Sequence, residues 1–235
     1  MNPQPTRNRL LTALPTGERA LFESHATLVP LKRRDVLYES GQPLEHLYFI
    51  EDGIVSILSL VSDRTGVETA TIGREGTVGM PAFHGVNAAP ERAMVQVPGA
   101  AYRIDVSAFR ELLPQMPALH SLLHRFAVVM FSLASQNSAC NRKHSIEARC
   151  ARWLLTVADR IDSATMELTH DFVAQMLGVR RASVTEALNS LESRGFVRTA
   201  RGRITVVDRS GLEGVACSCY STIAGVVGTL LDGHS

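Results

Sequence analysis

Three textures of apolar and polar residues follow one another along the chain. In the first, Leu10, Leu11, Leu14, Leu21 and Phe22 fall at helical spacing within residues 9–27, interrupted by Pro15-Thr16-Gly17. That pattern predicts short helical pieces. From 28 to 105 apolar and polar residues alternate in short runs: VLYES, HLYFI, GIVSILSLV, ETATI, AMVQV and AAYRI. Turn residues separate them at Gly41-Gln42-Pro43, Asp52-Gly53, Ser62-Asp63-Arg64, Gly73, Gly76 and Pro98-Gly99. Short strands at this rhythm predict an all-β sandwich or barrel. Val106 to Leu113 then reads as a short helix ended before Pro114, and Pro117 suits the first turn of a much longer one.

Along that longer helix Leu119, Leu123, Phe126, Met130, Leu133 and Asn137 are spaced 4, 3, 4, 3, 4. This is a heptad seam, continued for about 20 residues without Gly or Pro. It predicts pairing with a second copy, with Asn137 fixing the register. The alternative is a helix packed against its own β domain. A further helix, about 145–161, carries Ile146, Cys150, Trp153, Leu154 and Val157 on one face.

Residues 168–209 are the most informative. Thr169 is placed to cap a helix over 170–177, with Phe172, Val173 and Met176 or Leu177 inward. Gly178 makes a turn. A second helix over about 180–194 turns Val184, Leu188 and Leu191 inward and is ended by Gly195. FVRT and RITVV then form two strands joined by Ala200-Arg201-Gly202, giving a helix-turn-helix with a β-hairpin wing. The tail, GLEGVACSCYSTIAGVVGTLL, reads as one more amphipathic helix. The fold class is α+β: a helical segment over 1–27, a β-roll over 28–116, a dimerisation helix over 117–138, a winged helix-turn-helix over 139–210 and a C-terminal helix over 211–235.

Composition narrows the function. The 235 residues are 45% hydrophobic and 20% charged, with a net charge of +1. Such a chain buries a core, and it is not a uniformly basic nucleic-acid binder. Charge is unevenly placed, however. Residues 140–210 hold 12 Arg or Lys against 8 Asp or Glu, and no Arg or Lys follows residue 210. A basic block within a neutral chain marks the part that meets a polyanion. The start lacks the apolar core of a signal peptide, and no stretch approaches the roughly 20 apolar residues of a membrane span. With four cysteines, none in the first half, the expectation is a cytoplasmic protein with reduced thiols and no membrane partner.

The winged segment carries the chemistry. The second helix of such a motif lies in the major groove with its N-terminal residues on base edges. Arg180 and Arg181 stand at that N-terminus, Ser183, Thr185 and Glu186 are the next outward positions, and Asn189 lies one turn further towards the backbone. On the wing, Arg198, Arg201 and Arg203 are placed to neutralise phosphates. The partner is therefore double-stranded DNA. A winged domain that contacts protein is the competing reading.

The order of β-roll, long helix and winged helix-turn-helix resembles the Crp/Fnr family of bacterial transcription regulators. The resemblance rests on VLYESGQPLEHLYFIEDGIVSI, with turn glycines Gly41 and Gly53, and on DFVAQMLGVRRASVTEALNSLESRGFV with RGRITVVDR. It implies a homodimer on a two-fold operator, and RNA polymerase as a further partner. It also implies an effector pocket at Gly79, Met80, Arg92 and Ser135, but with departures. Met80 stands where cyclic-AMP-binding members have a glutamate for the ribose, and Glu91 falls at the phosphate-binding arginine. These argue against cyclic AMP in the usual mode, and no cofactor is assigned. In the family's Arg-Glu-x-x-x-Arg recognition pattern Arg181 survives, while Ala182 and Glu186 replace the other two. An operator different from the family's TGTGA half-site follows.

Cys140, Cys150, Cys217 and Cys219 define a second reading, a redox- or metal-responsive regulator. Against it, Cys217-Ser218-Cys219 is tighter than a CxxC clip, and no metal is assigned. His120 and His124, four apart, read as rim histidines of the long helix. An enzyme is not expected. Only His46 and His84 fall in the roll, in no metal-binding pair, and there is no P-loop or GxGxxG.

Overall fold

Apolar residues at alternate positions build the β domain. In the computed structural model, which describes residues 6–60 and 66–232, helices α1 (Arg9–Thr12) and α2 (Thr16–His25) lead into β1 (Thr27–Leu31), β2 (Val36–Tyr38), β3 (His46–Leu60), β4 (Gly66–Ile72) and β5 (Thr77–Val78). Helix α3 (Met80–Phe83), β6 (Arg92–Asp105), α4 (Val106–Leu112) and α5 (Pro117–Lys143) follow. The strands run β1-β6-β3-β4, with β2 also on β6 and β5 on β3. The turn expected at Ser62-Asp63-Arg64 lies outside the described residues. The chain divides into two units, one of Met1–Leu58, Ala70–Phe131 and Val227–Ser235, the other of Ser59–Thr69 and Ser132–Val226.

Two expected turns are instead bulges. Asp52-Gly53 lies inside the continuous β3, and Pro98-Gly99 inside β6. The register between the two strands shifts around Asp52 and Ile54. A Cβ on Gly53 would come within 2.5 Å of the Val97 carbonyl oxygen, and one on Gly99 within 2.1 Å of that of Asp52. The glycines are therefore needed because two bent backbones cross closely, not because the chain reverses.

Two side chains from the N-terminal segment organise this unit. Asn8 Nδ2 donates to the carbonyls of Ile50 and Gly76, each at 2.9 Å, while its Oδ1 accepts from the Leu11 amide at 3.1 Å. The carboxylate of Glu18 accepts from the amides of Ala118 and Leu119, both at 3.0 Å. It thereby supplies the first turn of α5 with acceptors and a negative charge.

The seam of α5 is corrected. Leu119, Leu123, Phe126 and Leu133 are buried within a single chain, and Met130 is half-buried. The Phe126 ring occupies the space a Cβ on Gly76 would fill. Asn137 Nδ2 donates to the Thr69 carbonyl at 2.8 Å. Burying each large apolar side chain contributes about 1.5–3 kcal/mol, so this face is satisfied at home. The outer face is exposed instead, with Val128 at 52% and Phe131 at 74%. The helix also passes, by length and composition, as a membrane span, against the expectation that no stretch would. Its large apolar residues are nonetheless largely buried in the chain's own core.

In the second unit, α6 (Ile146–Ile161) is capped by Ser145, whose hydroxyl accepts from the Ala148 amide. Then come β7 (Thr165–Met166), α7 (His170–Leu177), α8 (Arg181–Ser193), β8 (Val197–Ala200) and β9 (Arg203–Val206), with strand order β7-β9-β8. The tail is two helices rather than one, α9 (Arg209–Val215) and α10 (Cys219–Asp232). Arg209 and Tyr220 both hydrogen-bond the Asp159 carboxylate at 2.7 Å and so tie α9 and α10 to α6.

Candidate nucleic-acid interface

Local sequence positions the two helices. The Thr169 hydroxyl accepts from the Phe172 amide at 3.2 Å and starts α7. Gly178 ends it in the left-handed conformation, with φ +63°. Arg180 is extended, with φ −70° and ψ 146°, and α8 begins at Arg181. Val173, Met176 and Leu177 of α7 and Val184, Leu188 and Leu191 of α8 are buried, whereas Phe172 is only half-buried. This core sets the angle at which α8 is presented.

The outward positions form one surface. Arg180, Arg181, Glu186 and Asn189 are exposed, and Ser183 and Thr185 are half-buried. The N-terminus of α8 adds its positive dipole end to the two guanidiniums, a combination suited to phosphate and base-edge acceptors. Thr185 is not free of partners: its Oγ1 lies 3.0 Å from His170 Nδ1. Arg181 Nε lies 3.5 Å from Asp171 Oδ1. Sequence reasoning singled out neither His170 nor Asp171, because their relevance comes from the packing of α7 on α8.

The wing is held to the recognition helix. Glu192, in the last turn of α8, accepts from the Thr199 amide at 2.7 Å and from its hydroxyl at 2.6 Å. Those two bonds hold the Glu192 carboxyl below its ordinary range. Ala200 pairs with Arg203 and Arg198 with Thr205, so Arg198 and Arg203 share one face of the hairpin. Ile204 is buried on the other. Arg201 and Gly202, with φ +71°, make the exposed tip.

Other arginines of the basic block are structural. Arg149 and Arg152 are buried, and Arg149 donates to the Leu177 carbonyl. Arg194 pairs with Glu147 at 2.9 Å and lies over the Phe196 ring, 4.6 Å from its centroid.

Residues 28–116 match the model of the cyclic nucleotide-binding domain, and residues 148–215 that of the Crp-like helix-turn-helix domain. The chain belongs to the Crp/Fnr family. This Crp/Fnr protein is 26% identical over 194 residues to the transcriptional regulator LdrP of Thermus thermophilus, covering 77% of this chain and 92% of that one. It is 23% identical over 191 residues to the CRP-like cAMP-activated global transcriptional regulator of Mycobacterium tuberculosis, covering 78% and 85%. Its fold is that of FixK2 from Bradyrhizobium japonicum, with a TM-score of 0.70 at 17% identity over 82% of this chain and 98% of that one. A Crp/Fnr-family regulator from Eubacterium rectale gives a TM-score of 0.68 at 17% identity, covering 88% and 96%. The chain is thus a transcription regulator with a helix-turn-helix DNA-binding domain.

The residues expected at an effector pocket are placed as follows. Gly79, with φ +102°, starts α3, and Met80 is its first residue, half-buried. Arg92 Nε donates to Glu39 Oε2 at 2.7 Å, so its charge is met within the roll. Glu91 Oε2 is buried with no hydrogen-bond partner among the described residues. Its charge joins burial in raising the Tyr38 hydroxyl above its ordinary range. Ser135 is an exposed residue of α5.

Proposed function

We propose that this regulator acts as a homodimer on a two-fold symmetric operator, and that cyclic AMP does not control it in the usual mode. The observation that carries the DNA reading is the exposed Arg180–Arg181 pair at the N-terminus of α8, beside a wing whose arginines lie on one face and at its tip. Arg181 is placed to read guanine, and Arg198, Arg201 and Arg203 to neutralise phosphates. Glu186, exposed one turn into α8, is the acceptor for a cytosine amino group.

The dimer would use the outer face of α5. His124, Val128 and Phe131 are exposed there at 4- and 3-residue intervals, and a Phe exposed at 74% is the kind of apolar anchor a two-fold helix pair covers. Two α8 helices would then meet successive major grooves about one helical turn apart. The roll supports independence from cyclic AMP. An anionic phosphate entering near Arg92 would have to compete with the Glu39 carboxylate that already pairs its guanidinium.

Equilibrium binding of the purified protein to its selected operator, with and without cyclic AMP, tests this reading. Binding that is unchanged by cyclic AMP and falls steeply with salt is the expected result. Binding only in the presence of cyclic AMP would overturn the effector part. No salt-dependent binding to any duplex would overturn the DNA part.

A further inference from the structure

Three of the four cysteines, Cys140 and the sequence-distant pair Cys217 and Cys219, converge on one histidine. Cys140 Sγ and Cys217 Sγ are 3.5 Å apart, and Cys219 Sγ is 3.5 Å from His144 Nδ1. The four ligand atoms lie within 4.8 Å of one another. The three cysteines are buried and His144 is half-buried. Cys150 is not in the group, although the sequence alone put it among the candidates. His144 takes its corner because it lies one turn beyond Cys140, four residues on and on the same side of the chain as α5 ends. The short Cys217-Ser218-Cys219 spacing is no obstacle, since the chain bends between α9 and α10 and both thiols reach the same point.

We propose that Cys140, His144, Cys217 and Cys219 bind one zinc-class cation in a closed tetrahedral site. A metal–sulfur distance of about 2.3 Å and a metal–nitrogen distance of about 2.0 Å put neighbouring ligands roughly 3.5–3.8 Å apart. The Cys140–Cys217 and Cys219–His144 pairs, each at 3.5 Å, match that spacing. The set of three thiols and one imidazole is also that of a structural zinc site. A multi-iron cluster distributes its ligands over separate irons and needs them spread more widely.

Two further observations fit a charged occupant. Gln136 Nε2 donates to Cys219 Sγ at 3.0 Å, as an outer residue does to a coordinating thiolate. Arg149 and Arg152, each only 6% exposed, have an Nε without a hydrogen-bond partner among the described residues. Arg149 lies within electrostatic reach of Cys140 and Cys217, and Arg152 of Cys217. Two buried positive charges beside neutral thiols would be costly. Three thiolates on a divalent ion, a group of net charge −1, would offset one of those two positive charges. The ligands come from either side of the winged domain in sequence, so one ion would staple the end of α5 to the α9–α10 bend and close that domain at its base. The inference stands whether or not the winged domain binds DNA.

The full-length protein, purified anaerobically and stripped with a chelator, is titrated with Co²⁺ and then Zn²⁺. The expected result is one equivalent of Co²⁺ with the strong visible bands of a tetrahedral ion and thiolate charge transfer in the near ultraviolet, displaced by one equivalent of Zn²⁺. Cys217→Ser and His144→Ala should each abolish that spectrum, Cys150→Ser should keep it, and Gln136→Ala should weaken affinity roughly 10- to 100-fold. The wild-type titration decides the matter even where a ligand variant does not fold. A weak octahedral Co²⁺ spectrum without charge transfer would overturn the proposal. So would a spectrum unchanged in Cys217→Ser, acid-labile sulfide in the anaerobic protein, or a Cys140–Cys217 disulfide in place of bound metal.

Discussion

The guanidinium of Arg181 lies 3.5 Å from the carboxylate of Asp171, joining the first turns of the two helices of the helix-turn-helix. Both side chains are about two-thirds exposed, so the pair contributes at most about 1 kcal/mol to stability. Its importance is for DNA. Asp171→Asn should leave the melting temperature nearly unchanged and tighten operator binding, because a negative charge leaves the DNA-facing surface and Arg181 is released. Weaker binding by this variant would show that Asp171 instead holds Arg181 in its reading position.

Arg181→Ala should cost about 1–3 kcal/mol on the operator and relax preference at one base pair. Binding to a panel of operators mutated one position at a time checks this. An equal loss on every sequence would reassign Arg181 to phosphate.

At the wing tip, Arg201→Ala should weaken binding to all sequences alike and reduce the slope of log affinity against log salt by about 1. The measurement is the salt series itself, and an unchanged slope would remove Arg201 from the phosphate contacts.

The two faces of α5 predict opposite phenotypes. Phe131→Asp should give a folded monomer in sedimentation equilibrium, because its side chain is exposed in the single chain. Leu123→Ala, at a fully buried position, should cost about 2–5 kcal/mol of folding stability and leave association intact once folded. A Phe131→Asp dimer would place the subunit interface elsewhere.

Glu192 gives a pH dependence. Its carboxyl is held low in the folded state by the Thr199 amide and hydroxyl. Stabilisation by those bonds is therefore full above the unfolded glutamate pKa and fades as pH falls through the folded one. The stability difference between wild type and Glu192→Gln should be largest at neutral pH and vanish in acid. A difference independent of pH would mean that the ionised carboxylate is not what holds the wing.

Where structure is local, it was legible in the sequence. Thr169, Gly178 and Gly195 mark the ends of α7 and α8 because caps and left-handed turns depend on a few neighbouring residues. Long-range choices were not legible. The heptad of Leu119, Leu123 and Phe126 states that one face of α5 is buried, but not whether the chain's own sheet or a second copy buries it. The outer face, where His124 and Ser135 flank Val128 and Phe131, has too weak an apolar pattern to stand out. Asp52-Gly53 reads as a turn because bulges and turns call on the same residues. His144 stands four residues after Cys140, but Cys217 and Cys219 meet that pair only through the break between α9 and α10, which the spacing alone does not show.

Selection from a random duplex pool, with no ligand added, tests the central claim most directly. The expected result is enrichment of a two-fold symmetric site with half-sites about one helical turn apart, distinct from TGTGA, with the preference at one base pair of each half-site relaxed in Arg181→Ala. Failure of a folded, dimeric sample to enrich any sequence, with or without cyclic AMP, would contradict it.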